Sequence, residues 1–330
     1  MALKGFAGFA IRKVSAAAIT IFAIVCFNFV LFRIIPGDPV RLMFKDPRVS
    51  AHKIQEMYEK FGLTGSLWDQ FVAYLRQLFL HGDLGYSFAR RAPVLDVIAD
   101  KMPQTFLLVL TALAIALVVG TVLGAIAGWK TGTRLDSIII TGSLTLYSIP
   151  IFVIGIIILL ILSFHLGIFP LGGMYTIGAG LTGWAYWKDV LWHMFLPTCA
   201  IIVWYAGEYI LVTRNSMQDV LDQDYIISAR AKGIKESAIL LRHALRNAIL
   251  PVVTITGINV AFAISGVIEA ETVFGWPGMG RMVYDSVMSR DYPVLQGLFL
   301  IFAVIVVVAN LAVDLIYGKI DPRVSVGGGQ

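Results

Sequence analysis

Charge and cysteine are both scarce in this chain. Only 14 % of its 330 residues are Asp, Glu, Lys or Arg, against about 25 % in soluble domains. That shortage excludes an ordinary solvated surface, and a 58 % share of hydrophobic residues points to an integral membrane protein. The two cysteines, Cys26 and Cys199, lie inside apolar runs, so they form no disulfide framework. Enzyme signatures are missing too. There is no G-x-x-x-x-G-K-[ST], so no ATP site of the P-loop kind is expected on this chain, and no H-E-x-x-H, C-x-x-C or G-x-S-x-G. The five histidines (His52, His81, His165, His193 and His243) are scattered at or beyond the expected membrane boundaries without metal-ligand spacing. No metal site is expected, and the reading is of interfacial histidines.

What is abundant is long apolar sequence. A helix needs about 20 residues to cross the hydrocarbon core, and six stretches reach that length: Val14–Ile35, Gln104–Trp129, Ser137–Phe164, Phe195–Thr213, Ala248–Ile268 and Val294–Tyr317. The first is too long for a signal-peptide apolar region and lacks a cleavage motif, so it is expected to be retained. No linker or low-complexity tract divides the chain, and residues 1–330 read as a single all-α transmembrane domain in a bilayer. The net charge of +5 falls largely in short loops, which fits membrane orientation better than nucleic-acid binding. Lys4, Arg12, Lys13, Lys130, Arg134, Lys319 and Arg323 flank spans on one side, predicting both termini in the cytoplasm. Residues 36–103 read as an extracytoplasmic helical insertion, whose nine basic residues lie in a loop too long for the charge rule. Within it, Ser50–Phe61 reads as a helix stopped by Gly62. Ser66 and Asp69 form a capping box ahead of an apolar face of Phe71, Tyr74, Leu75 and Leu78, closed by Gly82. Pro93 fits the first turn of a short helix, Pro93–Lys101. The insertion reads both as a cap on the membrane domain and as a platform for an extracytoplasmic partner, and the two are compatible.

Few groups ionise inside the spans. Glu208 has two readings: a carboxylate that snorkels to the cytoplasm or pairs with Arg214, or one with a role along a pathway. Asp314 is expected to pair at the end of the sixth span near Lys319 and Arg323. The fifth span carries Thr254, Thr256, Gly257, Asn259, Ser265 and Gly266, and the third carries Thr141, Ser143, Thr145 and Ser148 before a kink at Pro150. Such residues serve close helix packing or line a wet passage, and both uses stay open. After the fifth span, Pro277 is expected to start a helix running Gly278–Ser289 that re-enters toward an outer pore mouth and ends at Asp291-Tyr292-Pro293. Asn259, Thr256, Ser148, Glu208, Phe274, Trp276 and Pro277 are the pathway or gate candidates.

Between the fourth and fifth spans, residues 214–247 form a basic cytoplasmic loop. Its core, DYIISARAKGIKESAILLRHALRNAILP, starts at Asp224 and ends at Pro251. Asp224 suits a helix cap, Ala229 and Ala231 admit another backbone closely, and Gly233 suits a left-handed exit. A second helix from Lys235 runs into the fifth span. The build is that of a docking helix for a cytoplasmic partner, with Tyr225, Ser228, Ala229, Arg230, Ala231, Lys232, Gly233 and Ile234 as contact candidates. Force on it is expected to pass into the fifth span.

This loop resembles the ATPase-coupling loop of permease subunits of type I ABC importers, in the dipeptide/oligopeptide/nickel branch. Ile227-Ser228-Ala229 stands where the general pattern has Glu-Ala-Ala, and ARAKG followed by LLRHALRNAILP looks like that branch's own version. The resemblance covers nearly the whole chain: PGDP at Pro36–Pro39, GDLGYS from Gly82, GTRLD from Gly132, SIPIFVIGI from Ser148, ETVFGWPGMGR from Glu271 and RDYPVLQG from Arg290. Asn310, Asp314, Tyr317 and Asp321-Pro322-Arg323 follow in order. The early PGDP and the structured insertion look like the first of the branch's two permease paralogues. The resemblance implies six helices of the type I fold, a heterodimer with a sister permease and two cytoplasmic ATP-binding subunits. It also implies an extracytoplasmic binding protein and peptide cargo, with oligosaccharides or nickel as alternatives. ATP and Mg would sit on the partner subunits and no cofactor on this chain. A stand-alone channel or secondary transporter would need an ion-coupling cluster, for which Glu208 and Asp314 are too few.

Overall fold

A computed structural model of the chain describes residues 2–34, 65–87 and 89–320. The PGDP motif, the expected Ser50–Phe61 helix and Asp321-Pro322-Arg323 lie outside them, as do the side chains of Lys4, Ser265, Gly266, Tyr317 and Lys319. In chain order the elements are α1 (Ala2–Ile34), α2 (Leu67–His81), strands β1 (Tyr86–Ser87) and β2 (Ala92–Pro93), α3 (Val94–Trp129) and α4 (Arg134–Tyr147). Then come α5 (Ile151–Ile158), which continues as a π-helix (Leu159–His165), α6 (Gly183–Leu221) and α7 (Asp224–Ala231). Next are α8 (Glu236–Ala238), which leads through a π-helix (Ile239–Ala244) into α9 (Leu245–Gly266), α10 (Ile268–Val273), α11 (Met279–Ser289) and α12 (Tyr292–Ile320). Five helices are long and apolar enough to cross a membrane, and six spans result if the bent pair α4 and α5 counts as one.

Three expectations change, and the kink at Pro150 is found as a sharp break. The short helix placed at Pro93–Lys101 and the second span are one 36-residue helix that passes through Pro103. A proline removes one backbone donor, which neighbouring groups in a membrane helix can compensate. Pro93 sits in β2, just before that helix. The kink expected at Pro150 is a 98° break between Arg134–Tyr147 and Ile151–His165. Proline steers its predecessor away from helical angles, and Pro150 itself is extended at ψ 140. The expected span limits are also too narrow for α6, which runs on to Leu221.

Contacts divide the chain into two compact units, Met1–Pro103 with Gly278–Gln330, and Gln104–Pro277. In the first, α1 and α12 pair antiparallel: Asn28 Nδ2 donates to the Gln296 carbonyl at 3.0 Å, and Lys13 meets Asp314 at 2.7 Å. Asp314 thus pairs across helices, with Lys13. The expected neighbours Lys319 and Arg323 follow it in sequence, but an antiparallel partner brings a cation alongside. Helix α2 lays Phe71 and Tyr74 on Phe29 of α1, with ring centroids 5.1 and 5.7 Å apart. Its start is the expected capping box, with Asp69 accepting from the Ser66 amide at 3.0 Å, and its end is Gly82 at φ 63. The β1–β2 ribbon is tied to the start of α12 by a buried network. Ser87 Oγ donates to Asp291 at 2.5 Å, and Arg90 reaches Asp291 and Ser286.

In the second unit α3, α4 and α9 pack on the long α6. Gly120, Gly124 and Gly128 put the α3 backbone directly on α6. A Cβ at Gly124 would lie 2.6 Å from the Ile210 carbonyl oxygen, and one at Gly128 2.5 Å from Met217 Cβ. Gly207 of α6 faces Tyr147 of α4 as closely, at 2.9 Å from its Cβ. With little hydrophobic drive between helices in lipid, small residues that allow such approach carry the packing.

Candidate functional site

The site begins at one end of the second unit, where α7 lies across the ends of three long helices. Gln223 holds the cap position, its side chain turned back to donate to the Asp219 carbonyl at 3.1 Å rather than capping the helix; Asp224, expected there, is the first helical residue. Ile226 and Ala229 point inward to Ala125 of α3, Met217 of α6 and Ala244 and Ala248 of the α9 approach. Ala229 is 6 % exposed, which corrects its expected place on the outer docking surface. Ile226 and Ala229 are three residues apart, a spacing that puts both on one face of this eight-residue helix. Tyr225, Ser228, Arg230, Ala231, Lys232 and Gly233 are exposed, as is Ile227, while Ile234 is half-buried on the core side. Gly233 has φ +74, the left-handed exit expected of it, which suits glycine because no Cβ opposes the preceding carbonyl.

Polar ties complete the anchorage of α7. Asn247 Nδ2 donates to the Tyr225 hydroxyl at 2.7 Å, and Arg230 pairs with Glu236 at 3.2 Å while stacking over Trp129 at 5.9 Å. Contact therefore spreads to α3, α6 and α9 together, where the sequence pointed to the fifth span alone. Nearby, Arg214 of α6 forks onto Asp136 of α4, with Nε to Oδ1 at 2.8 Å and Nη2 to Oδ2 at 2.9 Å. The Gly132 amide also donates to Asp136, at 3.0 Å, and Gln218 accepts from Arg214 at 2.8 Å. The pairing of Arg214 with Glu208, one of two readings for that carboxylate, is thereby overturned. Asp136 was missed as a partner, though its motif GTRLD was in view and Thr133-x-x-Asp136 signals the helix start that places it.

Glu208 instead accepts from Asn259 Nδ2 at 2.8 Å. Two pathway candidates, one from α6 and one from α9, are thus brought together. Thr256 lies one turn before Asn259 on α9, half-buried, with its hydroxyl donated to the Val252 carbonyl at 2.7 Å. Tyr209, next to Glu208 on α6, is fully buried. Ser148 is exposed at the α4–α5 break, where its hydroxyl bonds Leu144 of its own helix at 2.7 Å. Many small hydroxyls of both spans are used this way, on the carbonyl four residues back.

Phe274 and Trp276 belong elsewhere. Phe274 packs with Ile154, Leu196 and Ala200, and its carbonyl accepts from the Gly173 amide at 2.9 Å. Trp276 is fully buried, its indole donating to the Gln104 carbonyl at 3.0 Å. Pro277 is half-buried. A fully buried carboxylate that sequence reading passed over, Glu271, accepts from Thr105 at 2.7 Å. The expected helix after Pro277 is α11, with Gly278 at its cap.

Comparison with known proteins matches this arrangement to a family. Residues 120–326 match the binding-protein-dependent transport system inner membrane component, and residues 6–109 match the N-terminal region of such membrane components. The chain is 36 % identical over 319 residues to the oligopeptide transport system permease protein AppB of Bacillus subtilis, covering 96 % of this chain and 99 % of the relative. It is 34 % identical over 333 residues to the dipeptide transport system permease protein DppB of Escherichia coli, at 96 % and 98 % coverage. The glutathione transport system permease protein GsiC of Escherichia coli is 35 % identical over 316 residues, also at 96 % and 98 %. With its membrane-crossing helices and matches over nearly its whole length, this chain belongs to the family of inner membrane components of binding-protein-dependent transport systems.

Proposed function

We propose that this chain forms half of the translocation pathway of an ATP-driven peptide importer. The observation that carries this reading is near-full-length similarity to permeases named for oligopeptides, dipeptides and glutathione, all peptide cargoes. A sister permease completes the pathway, two ATP-binding subunits bind on the cytoplasmic side with their ATP and Mg, and an extracytoplasmic binding protein delivers the cargo. Both termini and residues 214–247 lie in the cytoplasm, and residues 36–103 form an extracytoplasmic insertion of one membrane domain. The exposed side of α7 (Tyr225, Ser228, Arg230, Ala231 and Lys232, with Gly233 and Ile234 at its exit) meets the ATPase, and Ala229 holds the helix from within. Closure of the ATPases displaces α7, and its anchorage on α3, α6 and α9 turns that displacement into alternating access. The helix α11 helps seal the outer end, Phe274, Trp276 and Pro277 are gate residues, and Ser148, Glu208, Thr256 and Asn259 border the route.

The test is to purify the chain with its native partners, identify them, and measure ATP hydrolysis in proteoliposomes with and without peptide-loaded binding protein. Stimulation of several-fold by the peptide-loaded protein is expected. A complex without ATPase chains, or one stimulated by oligosaccharide- or nickel-loaded binding protein and not by peptide, overturns the reading.

A further inference from the structure

Glu208 is a carboxylate inside a span, where an ionised group costs about 2.5–3.5 kcal/mol on insertion scales and needs a counter-charge or water. Its nearest basic residue along α6, Arg214, is committed to Asp136 and Gln218. Among the described residues only one carboxylate oxygen is held, Oε2 by Asn259, and the residue is half-buried, so part of it lies at the surface of the chain. Its neighbours along α6 are rich in aromatic rings. Tyr205 and Tyr209 neighbour it on α6, and Trp204, one turn before it, lies tilted against Tyr147 at 5.2 Å and edge-on to Tyr205 at 4.9 Å. The Tyr209 ring is fully buried one residue further along α6. A carboxylate oxygen left open on a half-buried residue beside aromatic rings suits an organic ammonium group. A metal ion would demand more oxygen ligands than this.

We infer that Glu208, oriented by Asn259, holds a primary ammonium group of the peptide as it crosses. This rests on the peptide reading above. The ammonium is supplied by a free peptide N-terminus or by a lysine side chain. Held by one carboxylate oxygen, it is stabilised against the bilayer without the tight binding that would stop passage.

The experiment is cysteine labelling of the assembled importer in proteoliposomes. Cys26 and Cys199 are replaced by serine and Thr256→Cys is introduced one turn from Asn259. Labelling rates are compared for cationic 2-aminoethyl and anionic 2-sulfonatoethyl methanethiosulfonate. The cationic reagent is expected to react faster by about tenfold beyond its rate ratio on free cysteine, with that preference lost in Glu208→Gln and kept in Glu208→Asp. Tri-alanine (free N-terminus only) or N-acetyl-Ala-Ala-Lys (side-chain ammonium only) should slow labelling, each arm naming its source, while N-acetyl-tri-alanine should not. No labelling by either reagent, equal corrected rates with Glu208 intact, or equal protection by the blocked peptide overturns the inference. Should Glu208→Gln fail to assemble, the protection arms with Glu208 intact still decide. If charge preference persists but no peptide-loaded binding protein stimulates ATP hydrolysis, the peptide reading fails and the ammonium site stands.

Discussion

Gly124 illustrates how single residues set the helix spacing, because any side chain there meets the α6 backbone and Thr213. Gly124→Ala is expected to cost about 1–3 kcal/mol by overpacking, read as a lower unfolding temperature in detergent. Gly142→Ala is the control, since nothing lies within 4 Å of its added Cβ; it should be neutral or slightly stabilising, as expected for alanine in a helix. Asp136→Asn should destabilise by about 3 kcal/mol, because it leaves the Arg214 guanidinium short of its counter-charge; Asp136→Asn with Arg214→Gln should recover part of that loss in the same assay. The partner of Arg214 was hard to read for a geometric reason. Glu208 lies six residues before it, which is about 240° around a helix, so the two face apart. Asp136 is distant in sequence, and a capping signature tells where a helix starts without telling which cation it will meet. Asn259 was legible as a polar residue in a span, but its bond to Glu208 depends on the rotation of α9 against α6.

Local signals at the ends of elements were the most readable. The Ser66–Asp69 box, Gly82 and Gly233 all act within a few residues, so the chain alone specifies them. The Ser66 hydroxyl and amide hold the Asp69 carboxyl below its ordinary range. A lowered carboxyl pKa contributes stability at pH values above the unfolded value of about 3.9, and that stability is lost as pH falls through the folded value. Amide exchange of α2 in hydrogen–deuterium measurements, corrected for intrinsic rates, should therefore rise only below about pH 4, and Ser66→Ala should raise it already at neutral pH. The size of the α4–α5 break was not legible. Pro150 forbids a straight helix but leaves the angle to packing, here that of Ile154, Gly155 and Phe274. At α7, Gly233→Val should strain the left-handed exit by roughly 1–2 kcal/mol. Stimulated ATP hydrolysis of the reconstituted complex is expected to fall several-fold while pull-down with the sister permease is unchanged. The inward face of Ala229 escaped the sequence because alanine is equally at home on either side of a short helix.

For the molecule as a whole, the positions of the apolar stretches were readable because crossing a bilayer is a demand each segment meets by itself. Which helix lies on which was not, since it depends on small-residue seams and single polar bonds that have no periodic signature. Orientation makes the whole-molecule prediction. Cysteines placed at Gly132 and Ser237 in intact cells should be shielded from an impermeant external thiol reagent, and those at Gly65 and Ala179 should react. The opposite pattern would reverse the topology drawn from Lys and Arg. The division of α7 bears on kinship between importers. Ile226 and Ala229 belong to this chain's own core, and Tyr225 and Arg230, though exposed, are tied to Asn247 and Glu236, whereas Ile227, Ser228, Ala231 and Lys232 face the outside. The two sets can mutate independently. Transplanting only the outward four from another permease should therefore re-address this chain to a foreign ATPase while the spans keep their native fit, so hybrid importers are within reach of four substitutions.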